Sequence, residues 1–153
     1  MEWNKRIYPI GRLDYDTTGV LLLTNDGDFA NILMHPNSKI DKVYIAKIRG
    51  IIKGKAINKL KNGVVVDGRK CEKARVKLRK TNISNNTSTV EITIHEGRNH
   101  QVKKMFEAIN YDVIKLTRIR FANLDCKSLK SGEYRKLTPK EVKILYNLGE
   151  DDA

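Results

Sequence analysis

The sequence is poor in the residues that mark secreted and membrane proteins. Its 153 residues include only two cysteines, Cys71 and Cys126, which are far apart and form no CxxC pair. This usage predicts a reducing compartment and argues against a disulfide scaffold or a thiolate metal site. No stretch approaches the roughly 18 apolar residues of a membrane span, and the opening MEWNKRIYPI lacks an apolar signal core. We therefore expect a cytoplasmic protein.

Acidic and aromatic residues are also scarce. Lysine and arginine number 30 against 18 aspartates and glutamates, which gives a formal net charge of +12, and the excess is not confined to one tail. A charge of this size attracts polyanions, so RNA or DNA is the first partner to consider. Because aromatic residues make up only 7% of the chain, a broad base-stacking platform is not expected. A solvated basic surface without a specific partner is the alternative.

The organisation of the chain is simple, because no repeat, low-complexity segment or proline-rich linker divides it. We predict one domain over residues 1–153. Hydrophobic periodicity predicts strands at 20–24, 42–50, 63–66, 72–79, 88–94, 113–121 and 133–137. It predicts helices from Asp26 or Asp28 to about Met34, over 53–61, over 100–109, and after the capping box Thr138-Pro139-Lys140-Glu141. The pattern indicates an α+β fold with a largely antiparallel sheet and covering helices.

Two stretches resemble metal-binding motifs, but the flanking residues of one and the histidine spacing of the other do not match. DYDTT, residues 14–18, matches the DxDxT of haloacid-dehalogenase-type phosphatases, whose two carboxylates hold magnesium. That fold places the first carboxylate at the tip of a buried parallel strand, but a proline, a glycine and a charge precede Asp14. The acidic pair expected later is offered only by Asp151-Asp152. HEGRNH, residues 95–100, spaces its histidines five apart rather than the four of zinc proteases. We predict no metal site.

Several motifs together resemble one enzyme family. They are GRLDYDTTGVLLLTNDG (11–27), KVYIAKIRG (42–50), EGRNHQVKKMFEAI (96–109), VIKLTRIRF (113–121) and GEYRKLT (132–138). In this order they are similar to motifs of the RsuA/RluB family of ribosomal-RNA pseudouridine synthases, over nearly the whole chain. The resemblance implies the pseudouridine-synthase catalytic fold and isomerisation of a uridine in ribosomal RNA, without a cofactor. The unbroken EGRNHQVKKMFEAI and LDYDTTG stretches favour the large-subunit RNA over the small-subunit RNA.

The resemblance also implies roles for individual residues. Asp14 matches the catalytic carboxylate, which acts covalently on the flipped-out uridine at the sugar or the pyrimidine ring. Arg12 matches the residue that helps to displace the target base. Tyr44 matches the tyrosine that packs on this base, and Leu116 matches an apolar residue beside it. A core leucine explains Leu116 equally well.

Lys103 stands where the family usually has an arginine paired with the catalytic aspartate. On the predicted helix Lys103 lies near the apolar stripe, whereas Lys104 points away from it. Lys103 is therefore the expected partner of Asp14, although lysine offers one contact where arginine offers a planar fork. Asp16 is interpreted as a turn residue that bonds nearby threonine amides.

The strand at 42–50 and the remaining basic residues complete the expected site. Tyr44 alternates with Val43 and Ile45, and its position opposite these apolar residues favours a functional face over a core face. Further basic residues are candidate phosphate contacts. They are Arg98, His100, Lys104, Arg118, Arg120 and Arg135.

Two parts of the family pattern are missing from this sequence. Full-length members have a small N-terminal RNA-binding module and then an opening strand resembling LLNKPxG before the GRLD motif. We therefore expect a catalytic fold that is incomplete at its N-terminus, with an exposed sheet edge that favours association of two copies. The alternative functions are a non-catalytic RNA-binding or ribosome-assembly protein of the same fold and, less favoured, the magnesium phosphatase.

Overall fold

The computed structural model describes residues 6–151, and the side chains of 6–149. Nine strands and four helices follow one another in this part of the chain. The strands are β1 (Tyr8–Ile10), β2 (Thr17–Gly19), β3 (Leu22–Thr24), β4 (Lys42–Arg49), β5 (Val65–Val66), β6 (Arg69–Lys70), β7 (Arg75–Asn82), β8 (Thr87–Ile94) and β9 (Val113–Phe121). The helices are α1 (Gly27–Met34), α2 (Gly54–Asn62), α3 (Gln101–Ala108) and α4 (Pro139–Asp151), and a 3-10 turn covers Pro36–Ser38.

A five-stranded sheet organises the fold in the order β2-β9-β4-β8-β7. Only β2 runs parallel to its neighbour β9, and the other three pairings are antiparallel. β1 and β3 form a separate antiparallel pair, as do β5 and β6. The predicted α+β class with a largely antiparallel sheet is confirmed.

Two hydrophobic cores lie side by side. One packs a face of the sheet against α2 and α3, and its fully buried members include Ala46, Leu60 and Phe106. The other joins α1, α4 and the β1–β3 pair around Phe29, Leu145 and their neighbours. Residues 11–16 connect β1, which contributes to the second core, to β2 at the edge of the sheet. The motif that contains Asp14 therefore lies where the two cores meet.

Local sequence signals placed most helix ends correctly. The Asp26 carboxylate accepts from the Phe29 backbone N–H at 3.1 Å, which caps α1 as predicted. At α4 the capping box is reciprocal: the Glu141 N–H donates to Thr138 Oγ1 at 3.2 Å, and the Thr138 N–H donates to Glu141 Oε1 at 2.8 Å. Leu145 is fully buried, so its face of α4 packs into the second core.

Two predicted strands are wrong. Residues 20–24 do not form one strand, because β2 ends at Gly19 and β3 begins only at Leu22. Residues 133–137 are not a strand at all. There the Arg135 guanidinium bonds Glu141 twice at 2.8 Å, so this segment is tied to the first turn of α4 instead of to a sheet. The pair Asp151-Asp152 lies outside the described side chains.

The exposed edges of the sheet bear on the expected association of two copies. β7 forms one edge and carries Arg75, Lys77, Arg79 and Lys80. Charged side chains oppose edge-to-edge pairing of strands. Association through an edge stays a prediction. No helix within residues 6–151 is long and apolar enough to cross a membrane.

Candidate active site

A cleft of about 810 Å³ lies at the junction of the two cores. The loop before β2, the start of β4 and the loop between β8 and α3 contribute to its walls. Seven of the eleven sequence-predicted site residues line it: Arg12, Asp14, Tyr44, Arg98, His100, Leu116 and Arg118. Lys103, Lys104, Arg120 and Arg135 do not line it.

Asp14 lies in a turn, and a histidine ring lies beside its side chain. Its backbone carbonyl accepts from the Thr17 N–H at 2.9 Å, which fixes the loop to the start of β2. Its side chain is 28% exposed, and Oδ2 lies 3.2 Å from Nδ1 of His100. His100 has a left-handed backbone (φ 50°) at the N-cap of α3, a conformation uncommon outside glycine. The carboxylate therefore opens to the cleft with the His100 ring beside it, a partner that sequence reasoning had assigned to phosphate.

Lys103 does not pair with Asp14, so the predicted counter-charge is wrong. Its Nζ donates to Oδ1 of Asp16 instead. This hydrogen bond lowers the pKa of the Asp16 carboxyl. The reason is positional: His100 precedes the first turn of α3 and occupies the space beside Asp14, so Lys103 bonds the next carboxylate along the loop. Asp16, interpreted from the sequence as a turn residue, carries this ion pair.

Tyr44 faces the cleft, but on the core side of β4. It shares a face with Ala46 and Ile48, which are fully buried, and it packs against their core. The expectation that its face lies opposite the core is therefore wrong, because cleft and core occupy one continuous face of the sheet. Across the strands Tyr44 is in register with Arg118, and Ala46 is in register with Leu116. Leu116 is both a core leucine and part of the cleft floor.

Burial contradicts the phosphate contact expected of Arg118. Its side chain is buried, and Nε and Nη2 donate to the Val20 carbonyl at 2.9 and 2.8 Å. The guanidinium also lies 5.2 Å from the centroid of the Phe121 ring. Arg118 thus holds the link between β2 and β3 against β9.

Arg98 and Lys104 are likewise engaged within the protein. The Arg98 guanidinium donates to the carbonyls of Val66 and Arg69 and to Cys71 Sγ, which binds the β5–β6 pair to the loop before α3. Lys104 Nζ donates to Asp67 Oδ2 at 2.7 Å. These partners contradict the simple interpretation of both residues as phosphate contacts.

Lys42 is a cleft residue that sequence reasoning missed. It stands two positions before Tyr44 on β4, so strand alternation places both on one face. It lines the cleft, and Nζ donates to the Glu96 carbonyl at 3.4 Å. Burial lowers the pKa of Lys42, and the nearby Arg118 charge lowers it further. The spacing Lys42-x-Tyr44 was the signal that could have found it.

The two histidines of HEGRNH have different partners. His95 Nε2 pairs with Glu72, while His100 pairs with Asp14. Within the described part of the chain, no three or more His, Cys, Asp or Glu side chains gather closely enough to hold a metal ion. Asp14 and Asp16 also do not follow the buried parallel strand that the phosphatase reading requires, because they precede β2.

Comparison with known proteins identifies the family. The sequence profile described as RNA pseudouridylate synthase matches residues 2–108. The chain belongs to this family. It is 52% identical over 146 residues to "Ribosomal large subunit pseudouridine synthase B" of Bacillus subtilis, covering 95% of this chain and 60% of that protein. It is 40% identical to "Uncharacterized RNA pseudouridine synthase YtzG" of the same organism, covering 90% and 58%.

Solved structures confirm the pseudouridylate synthase fold. A crystal structure of a pseudouridylate synthase superposes with a TM-score of 0.80 at 32% identity, covering 91% of this chain and 59% of the other. A chain from an H/ACA RNP structure gives a TM-score of 0.61 at 15% identity, which shows the fold alone. This chain spans about three fifths of the length of the curated relatives described above.

Proposed function

We propose that this chain isomerises a uridine of large-subunit ribosomal RNA to pseudouridine, with Asp14 as the nucleophile. The observation that carries the proposal is the position of Asp14: a partly exposed carboxylate that opens to the cleft and lies 3.2 Å from the His100 ring on its wall. Family membership supports the reaction, and the 52% identical relative, a large-subunit pseudouridine synthase by name, supports the large subunit. Because the substrate is ribosomal RNA, a cytoplasmic location is part of the same proposal.

The chemistry begins with extrusion of the target base, because no atom inside a stacked helix can reach the cleft floor. Arg12 is exposed on the cleft wall, where it can enter the space that the base leaves. Tyr44 and Leu116 then offer an aromatic ring and an apolar surface to the extruded base. The cleft thereby receives a flat, partly apolar ring beside the Asp14 side chain.

The isomerisation balances without an oxidant, a reductant or a consumed water. Asp14 bonds to the nucleotide while the N1–C1′ bond breaks, and the freed ring turns. A C5–C1′ bond then forms, the carboxylate is released, C5 loses its proton and N1 gains one. A tritium atom that replaces the hydrogen at C5 is therefore released once per turnover.

Electrostatic attraction supplies affinity for the RNA. The net charge of +12 predicts binding that weakens steeply as salt increases, because each neutralised phosphate releases counterions. Arg98, Lys104 and Arg118 are engaged within the protein, so exposed basic residues elsewhere are expected to carry this attraction.

Tritium release from unmodified ribosomal RNA labelled at uridine C5 tests the proposal. We expect the wild-type chain to release tritium and Asp14→Asn to release none. Asp16→Asn should release tritium within about threefold of the wild-type rate, because it removes only one exposed ion pair. A longer version completed with the remaining sequence of the 52% identical relative is assayed in parallel. If neither length releases tritium but both bind the RNA, the non-catalytic RNA-binding function replaces this one.

A further inference from the structure

Thr17 carries an unusual hydroxyl group at the start of β2. The residue is only 8% exposed, and Oγ1 is the one buried side-chain nitrogen or oxygen without a hydrogen-bond partner among the side chains that the structure describes. Its neighbour Thr18 is exposed, and its hydroxyl pairs with that of Thr117 at 3.0 Å. The two adjacent threonines thus differ in hydrogen bonding: the exposed Thr18 hydroxyl has a partner, and the buried Thr17 hydroxyl has none.

An unpaired buried hydroxyl destabilises a folded protein, and valine would fill the same volume without that cost. The other buried polar side chains nearby do have partners. Gln101 donates to Glu96, and Arg118 donates to the Val20 carbonyl. A polar group that the fold does not use, at a position where an apolar one would fit, indicates a partner outside the protein chain.

The location of Thr17 restricts what this partner is. Thr17 lines the cleft, its N–H bonds the Asp14 carbonyl at 2.9 Å, and it is in register with Leu116 on β9. The hydroxyl is therefore fixed in position relative to the carboxylate and stands beside an apolar floor. The Asp14 carboxylate beside it would repel a phosphate, whereas a flat neutral ring resting on Leu116 presents polar atoms at its edge.

We propose that Thr17 Oγ1 donates a hydrogen bond to a ring carbonyl oxygen of the uracil that is being isomerised. This assignment rests on the proposed function. When the N1–C1′ bond breaks, the ring holds extra electron density that spreads to its carbonyl oxygens. A fixed donor stabilises this charge and retains the freed ring in the cleft while it turns, so its contribution appears in the chemical step more than in RNA binding.

Three variants test the assignment with the C5 tritium assay and thermal melting. Thr17→Val removes the hydroxyl, Thr17→Ser retains it, and Thr18→Val is the matched control. We expect Thr17→Val to lower kcat by about tenfold to 100-fold with KM for the RNA within about twofold, the pattern of a lost transition-state interaction. Thr17→Ser and Thr18→Val are expected to stay within about threefold of wild type.

Melting separates this role from a structural one. Thr17→Val should melt at or above the wild-type temperature, because it removes a hydroxyl that has no partner within the protein. A lower melting temperature, or equal kcat in Thr17→Val and wild type, would overturn the assignment while leaving the proposed function intact. Absence of tritium release from wild type at either length would overturn the proposed function and the assignment with it.

Discussion

Replacing Gly19 with alanine is expected to disrupt the site through the backbone of β2. Gly19 has φ +123°, and an added Cβ would lie 2.7 Å from the Arg118 nitrogen, 2.8 Å from its carbonyl carbon and closer still to its oxygen. Because non-bonded heavy atoms pack at about 3.5 Å, β2 and β9 must separate by about 1 Å or more. That movement breaks the 2.9 Å bond from the Val20 N–H to the Arg118 carbonyl.

The cost of Gly19→Ala follows from these losses. A strained positive φ contributes about 1–3 kcal/mol, and each lost hydrogen bond contributes about 1 kcal/mol. The Arg118 guanidinium also moves relative to the Val20 carbonyl that accepts from it. We expect a loss of about 3–5 kcal/mol in the free energy of unfolding, among the larger effects of single substitutions. Because Thr17 and Asp14 move with β2, kcat is expected to fall at least about 100-fold.

Urea denaturation and the tritium assay measure this outcome, and two other glycines are controls. Gly132 also has a positive φ (+82°) but no heavy atom near an added Cβ, so Gly132→Ala isolates the strain. Gly27 in α1 has open space and no positive φ, so alanine there should be neutral or stabilising by about 0.5–1 kcal/mol. If Gly19→Ala unfolds within about 1 kcal/mol of Gly132→Ala and retains kcat, the proposed clash between β2 and β9 is refuted.

Three further predictions concern other parts of the structure. His100→Ala removes the ring beside Asp14, the proposed nucleophile, and kcat should fall about tenfold, while His100→Gln, which keeps a polar group, should lose less. The Arg135 hydrogen bonds lower the pKa of Glu141 to about 2 from its usual 4.5. The stabilisation from the Arg135–Glu141 hydrogen bonds is therefore complete above pH 4.5 and is lost as the pH falls toward 2. The melting temperature of Glu141→Gln should depend less on pH over this window than that of the wild type. Burial raises the pKa of the Cys71 thiol. A thiol reagent at about pH 8 should therefore modify Cys126 first and should modify Cys71 only as fast as the protein unfolds. Equal rates of modification at the two cysteines would contradict the buried position of Cys71.

Local periodicity was enough to predict the elements that build the cleft. β9 was predicted at its observed bounds, β4 to within one residue, and α3 with its apolar face correct, because each has a strong repeat and clear end signals. Periodicity failed where a backbone geometry decides the outcome. The left-handed conformation of His100, which accompanies its position next to Asp14, has no counterpart in a hydrophobic pattern. The residue beside Asp14 is therefore determined by the folded backbone and not by the hydrophobic pattern.

Charge composition predicted attraction to a polyanion but could not identify the residues that provide it. Arg118 is buried against the Val20 carbonyl, and Arg98 bonds the β5–β6 pair, although both lie in strongly basic stretches. A guanidinium has five donors, which makes it suitable for backbone carbonyls inside a protein as well as for phosphate outside it. The sequence gives the number of charged residues, but the packing of the chain determines which of them bond backbone carbonyls and which remain available for phosphate.

The floor of the cleft keeps polar groups where apolar ones would be more stable. Lys42 is partly buried beside the Arg118 charge, and both burial and that charge lower its pKa, so its ammonium form is held at a cost. Thr17 keeps an unpaired hydroxyl on the same floor. Elsewhere on this face of the sheet, Ala46, Ile48 and their neighbours pack as an ordinary core. Departures from good packing that concentrate in one cleft are the signature of a site built to bind something other than its own chain.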